Sequence, residues 1–187
     1  MLTLTIAAKD ELWNPDKQEF IKTASGTLIL EHSLLSISKW ESKYHKPFLS
    51  KLEKDKKTAD EMLDYIRCMT INTVDPDIYY GLTNEQIKEI GDYISNPMTA
   101  TTISEKNRYG RAGSRNGEIV TSELIYYWMV VHGIPFECQK WHLNRLLTLV
   151  QVCNIKNAPA KNMSKKDILA QNNALNAMRR AKYRSRG

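Results

Sequence analysis

Cys138 and His142 lie four residues apart, on one face of a helix if the segment is helical, and His132 stands a short way upstream. A thiolate and imidazoles are zinc ligands, but zinc requires a fourth ligand and tetrahedral closure. The simpler expectation is a core-facing Cys138 beside a surface His142, with no metal. Paired carboxylates are no better placed. Asp75 and Asp77 flank Pro76 in a turn sequence, and a strand-to-helix junction separates Glu118 from Glu123. Turn and cap roles account for all four. The chain has no Cys-x-x-Cys, no His-Glu-x-x-His, no phosphate-binding glycine loop and no Gly-x-Ser-x-Gly. The reading is of a binding protein, with no catalytic residue, metal or cofactor.

The residues with the clearest physical purpose are charged and stand at the end of the chain. From Lys156 onward there are nine bases against the single acid Asp167, a net of +8. The whole chain carries +6, so residues 1–155 carry −2. The basic character therefore belongs to a tail and not to the body. The run Arg179-Arg180-Ala181-Lys182-Tyr183-Arg184 can hold nucleic-acid phosphates by counterion release, dock on an acidic protein, or stand solvated. Docking is the expected role, with Leu175 and Met178 as apolar anchors and Arg179, Arg180, Lys182 and Arg184 as electrostatic contacts. A second basic stretch, residues 104–117, holds three glycines with Lys106, Arg108, Arg111 and Arg115. It reads as a solvated loop, with a contact loop for an acidic partner or nucleic acid as the alternative.

The elements that must present these residues follow from periodicity. Leu2, Leu4 and Ile6 alternate with Thr3 and Thr5, which is strand spacing. A polar interval over residues 9–17 and two short runs, 19–22 and 27–31, complete a small antiparallel sheet of two or three strands. Such a sheet needs helices to pack on. Helical pattern takes over at Ser33, an N-cap, and ends before Pro47. Thr58 with Glu61, and Thr83 with Gln86, are capping boxes. The first opens a helix with Met62, Ile66 and Met69 on one face. The second opens a helix burying Ile87, Ile90 and Ile94 and stopping near Pro97.

Thr121 or Ser122 starts the next helix. Leu124, Ile125, Tyr127, Trp128, Val130 and Val131 surround it, and a helix apolar on most sides is buried. It is the expected central core helix. Gly133 ends it and Pro135 starts an amphipathic helix over residues 134–157. Phe136, Leu143, Leu146, Leu147, Val150 and Cys153 form its apolar side, and His142, Arg145 and Gln151 its wet side. The two form an antiparallel hairpin. Ser164 caps a last helix running to Tyr183, with a thin apolar face that includes Ile168 and Leu169. Asn172, Asn173 and Asn176 lower its intrinsic stability, so it is read as an arm that orders against a partner.

With 187 residues and 42% apolar content, the chain builds an ordinary core. The predicted fold is mainly α: a small N-terminal antiparallel β-sheet over 1–31, a helical body over 32–157 and a basic helical tail over 158–187. Cys68, Cys138 and Cys153 read as buried free thiols of a reducing compartment. Residues 1–10 lack a secretory pattern. The longest apolar run, 124–131, falls short of the roughly 20 residues of a membrane span. The expectation is a soluble, intracellular protein. Trp40, Trp128 and Trp141 sit in apolar helical contexts and read as core, not as base-stacking platforms.

Longer stretches carry a resemblance. They are SLLSISKWESKYHKPFLS at 33–50, EMLDYIRCMTIN at 61–72, ISNPMTATTIS at 94–104, SELIYYWMVVHGIPFECQKWHLNRLLTLVQVCNIKN at 122–157 and MSKKDILAQNNALNAMRRAKYRSRG at 163–187. In these, the chain resembles the tail assembly chaperones of tailed bacteriophages. The resemblance implies work in the host cytoplasm with the tape measure protein and the tail tube protein, and no catalytic motif. Seven methionines, Met62, Met69, Met129 and Met178 among them, offer adaptable surface for such work, with core packing as the plainer role for most. A homo-oligomer is compatible with it. A structural virion part, such as a connector or baseplate subunit, is the alternative, and a nucleic-acid-binding accessory protein is a third.

Overall fold

A computed structural model describes residues 1–9, 12–14, 18–50, 52–102, 119–157 and 165–183. The fold is mainly α with a small antiparallel β element at the N-terminus. The chain divides into two units, Met1–Ile155 and Lys156–Gly187.

In the first unit, β1 (Leu2–Ile6) pairs antiparallel with β4 (Gly26–Leu30), Leu2 opposite Leu30 and Ile6 opposite Gly26. Between them in sequence, β2 (Leu12–Asn14) pairs with β3 (Glu19–Ile21). The expected polar interval thus contains a strand. Strand alternation sends Leu4, Ile6, Leu28 and Leu30 into the core and leaves Thr3, Thr5 and Thr27 in water. The far edge of β4 is closed by the segment after α2. Ile71 N donates to Ile29 O at 3.0 Å, and Asn72 uses its side-chain amide twice, accepting from Ile29 N at 2.9 Å and donating to Thr27 O at 2.8 Å. One side chain therefore satisfies backbone groups that a missing strand would otherwise pair.

The helices are α1 (Leu34–Tyr44), α2 (Ala59–Met69), α3 (Asn84–Ser95), α4 (Ser122–Val131) and α5 (Leu143–Asn157), with 3₁₀ turns at Glu53–Asp55, Pro76–Gly81 and Phe136–Lys140. Their starts follow the capping chemistry. Ser33 accepts from Ser36 N, and both capping boxes form, Thr58 with Glu61 and Thr83 with Gln86. Thr121, not Ser122, caps α4. The core runs from β1 and β4 through Leu34, Ile37 and Trp40 of α1, Tyr65 and Met69 of α2, Ile125 and Met129 of α4, and Leu143, Leu146 and Val150 of α5. Trp40 is fully buried and donates its indole N–H to Glu61 O at 2.8 Å. Gly81 is required by close approach, because a Cβ there would lie 2.9 Å from Ile6 Cγ2.

Several expectations are corrected. Residues 134–157 are not one helix. Leu143 N donates to His32 O at 2.7 Å and His142 forms a bridge with Ser33, which holds His142 out of helical geometry and splits the segment into a 3₁₀ turn and α5. Cys138 and His142 consequently sit on different elements, and His142 is buried, not wet. Phe136, expected on the apolar side, is 54% exposed. Ile87 is also exposed. Gln86 Nε2 reaches Thr5 O at 3.0 Å and Tyr93 Oη reaches Glu31 at 2.6 Å, so α3 turns its Gln86–Ile90–Tyr93 stripe to the body. Finally, α4 is not enclosed. It rests on α1, burying Ser122, Ile125 and Met129, while Tyr127, Val130 and Val131 face solvent. Gly133, at φ +62, ends it as expected. At the end of α4, His132 is hydrogen-bonded to Asn154 of α5 at 2.9 Å.

The second unit holds α6 (Lys165–Tyr183).

Candidate partner-binding surfaces

α6 positions five of the six residues singled out in the tail. Helical spacing places Leu175, Met178, Arg179 and Lys182 on one face, with Arg180 on the other side of the helix. Every side chain from Leu169 to Tyr183 is exposed. Leu175 keeps 44% of its surface in water and Met178 71%. Two apolar side chains bordered by two cations thus lie together without cover. Lys182 Nζ stands 5.6 Å from the Tyr183 ring centroid. Arg184, the sixth residue, lies outside the described residues, as does the basic stretch 104–117.

Sequence reasoning missed a second surface. On α4, Tyr127, Val130 and Val131 are 62%, 62% and 57% exposed. They follow i, i+3, i+4 spacing and form one ridge. Phe136 extends it: its ring lies 6.3 Å from that of Tyr126, which is one turn from Val130. The patch stands on a firm base. The α4 N-terminus is held by buried Glu41 of α1, whose carboxylate accepts from Ser122 N and from Phe48 N, both at 2.7 Å. The signal was present, since the helix is apolar on every side. Burial on one side and a contact face on the other give the same periodicity.

A third feature is the aromatic pair on the β2–β3 ladder. Trp13 and Phe20 are direct cross-strand partners with ring centroids 5.1 Å apart, and both are more than half exposed. Trp13 lay in the interval read as polar.

The titratable centre of the body lies inside it. His32 Nδ1 is 2.5 Å from Tyr65 Oη, and the His32 and His142 rings are 5.1 Å apart. His142 Nε2 meets Tyr93 O at 3.0 Å, and Tyr93 Oη donates to Glu31, which also pairs with the N-terminal amine at 3.3 Å. Burial, with His142 alongside, pushes the His32 pKa down to about 3. Burial lowers that of His142 too, and it raises Tyr65 and Tyr93. All four are neutral near pH 7. They tie the residues before α1 to α2, α3 and the start of α5. Asp64, largely buried on α2, gathers Lys43, Tyr44 and Arg67 around its carboxylate. Its partial burial favours the acid, but these donors outweigh it and hold its pKa at about 2. Among the described residues, no group of three or more His, Cys, Asp and Glu side chains is arranged to hold a metal ion. Cys68, Cys138 and Cys153 are free thiols. No described helix is long and apolar enough to cross a membrane.

No family model, curated protein or solved structure matches the chain.

Proposed function

We propose that this protein is a tail assembly chaperone of a tailed bacteriophage. In this reading it binds the tape measure protein, the tail tube protein or both in the host cytoplasm while the tail is built, and it needs no cofactor. The observation that carries the reading is α6, whose Leu175 and Met178 lie uncovered between Arg179 and Lys182. Apolar anchors with a cationic border suit a helical partner with an acidic rim, because charge steers the encounter and apolar burial holds the complex. The resemblance over residues 33–50, 61–72, 94–104, 122–157 and 163–187 supplies the biological setting.

The test is to tag the protein in infected cells and identify what co-purifies by mass spectrometry. Tape measure or tube protein without assembled tails is the expected catch. Fixed stoichiometry in washed, mature particles overturns the chaperone reading in favour of a virion subunit. Recovery of nucleic acid alone, with binding that falls steeply as salt rises, overturns both.

A further inference from the structure

We infer that His142 is an acid-sensitive cap that locks the end of α3 to the start of α5, independent of the role proposed for α6. It immediately precedes Leu143, the first residue of α5, and so holds the N-cap position, where a side chain accepts from an otherwise orphaned N–H of the first turn. Ser, Thr, Asp and Asn are the usual residues there. Here an imidazole does the work: Asn144 N donates to His142 Nδ1 at 3.3 Å. On its other side the same ring meets Tyr93 O, in the last turn of α3, at 3.0 Å.

The two partners fix the proton. A carbonyl oxygen can only accept, so Nε2 carries the hydrogen. A backbone N–H can only donate, so Nδ1 is bare. His142 is therefore held as the neutral Nε2–H tautomer. A second proton has one place to go, Nδ1, and there it meets the Asn144 N–H donor to donor. It removes the cap and sets a positive charge at the positive end of the α5 dipole. A Ser or Asn cap has no such state. Asn144 extends the junction, because its Nδ2 donates to Ile94 O at 2.9 Å and to Asn96 O at 2.8 Å. His142 and Asn144 together cap the start of one helix and the end of another, so what loosens one end loosens the other.

The groups around the ring come from every neighbouring element. The His32 ring, before α1, lies 5.1 Å away, with Tyr65 of α2 behind it. The Tyr93 ring of α3 lies 4.9 Å away. Glu31, just after β4, and the N-terminal amine, just before β1, pair with each other and act on His142 through space. On α5 itself, Arg145 lies over the Trp141 ring at 4.2 Å. Burial, helped by the N-terminal amine, outweighs the pull of Tyr93 O and Glu31 and lowers the pKa of His142. When the junction opens, the imidazole regains its ordinary 6.5. The open state then takes up the proton first and gains as pH falls below that value. α3 buries only Ile90 and Tyr93, so it is the element that opening frees.

The test is NMR on the full chain at about pH 7.5 and about pH 5, either side of the ordinary histidine value. Nitrogen shifts of the His142 imidazole are expected to report the Nε2–H tautomer at the higher pH. Amide exchange, corrected for its intrinsic pH dependence, is expected to quicken at the lower pH in the first turn of α5 and the last turn of α3. The increase there reaches at most about 30-fold, the ceiling for one proton, and α2 changes less. His142→Asn supplies a cap oxygen that takes no proton. It is expected to keep the first turn of α5 protected at about pH 7.5 and to remove most of its acid response. An Nδ1–H tautomer overturns the inference. So does an acid response spread evenly over the body, one absent from the junction, or one that persists undiminished in His142→Asn. The tautomer is read on the unaltered chain, so a folding failure of the variant does not shield the inference.

Discussion

α4 and α6 both expose apolar side chains, but for opposite reasons. α4 is apolar nearly all round and is half-buried, with Ile125 and Met129 at 0% exposure beneath the open ridge. α6 is thinly apolar and exposed along all of its described side chains. The first presents a surface whose geometry the body has already set. The second carries exposed apolar side chains that, in the proposed reading, a partner covers. A helix of this second kind tolerates a partner of varied shape, whereas the first kind demands a fixed one. In the proposed reading the difference separates residues that hold the fold from residues that hold a complex, and substitutions can be placed on either side of it.

The largest effect is expected beneath the ridge. Met129→Ala removes a fully buried side chain and should lower unfolding stability by about 2–5 kcal/mol in urea titration. Its neighbour Val130, substituted by Ala, should change stability by no more than about 0.5 kcal/mol. Equal costs at the two positions would break the distinction between base and ridge. Next comes Glu41→Ala, which strips Ser122 N and Phe48 N of their acceptor; each orphaned buried N–H costs about 1–3 kcal/mol. Loss of α4 helicity ahead of global unfolding, read by hydrogen exchange, would sharpen the account of how the ridge is held.

Acid should act on the body and spare α6. His32 falls from its ordinary 6.5 to about 3 in the fold, so the unfolded chain takes up the proton first and stability falls as pH drops through that window. The groups facing it are Tyr65 Oη and His142, with Glu31, Tyr93 and the N-terminal amine beyond. Between pH 6.5 and 5 the loss should be about 1.5 kcal/mol, with His142 adding in the same direction. His32→Asn should flatten that slope in denaturant titrations. Asp64, held at about 2, adds its own loss only below its ordinary 3.8. A smaller loss, about 1 kcal/mol, is expected from Thr58→Ala through loss of the α2 cap.

Much of this architecture was legible in the residues. Ser33, Thr58 and Thr83 announce helix starts through a side-chain oxygen and a partner three residues on, and all three form those bonds. Local chemistry of this kind needs no tertiary context. Gly133 likewise marks the end of α4 by a backbone conformation that few other residues adopt. Long-range contacts were not legible. Nothing near His142 in sequence reveals that Ser33 pairs with it or that Leu143 N bonds His32 O, and this contact divides residues 134–157. The side of α3 that turns inward was set by Gln86 reaching Thr5, 81 positions away. The basic end of the chain was evident from charge alone, whereas the α4 ridge was hidden because an apolar pattern does not say which side stays open.

The most direct measurement is binding of the purified full-length chain to tape measure and tail tube proteins, set against a variant carrying Ala at Leu175, Met178, Arg179 and Lys182. The account predicts that the wild-type chain binds at least one of them and that the variant binds at least about 100-fold more weakly, with unfolding stability unchanged. Equal affinity for the two chains would contradict it, and α6 would no longer be the surface that carries the function.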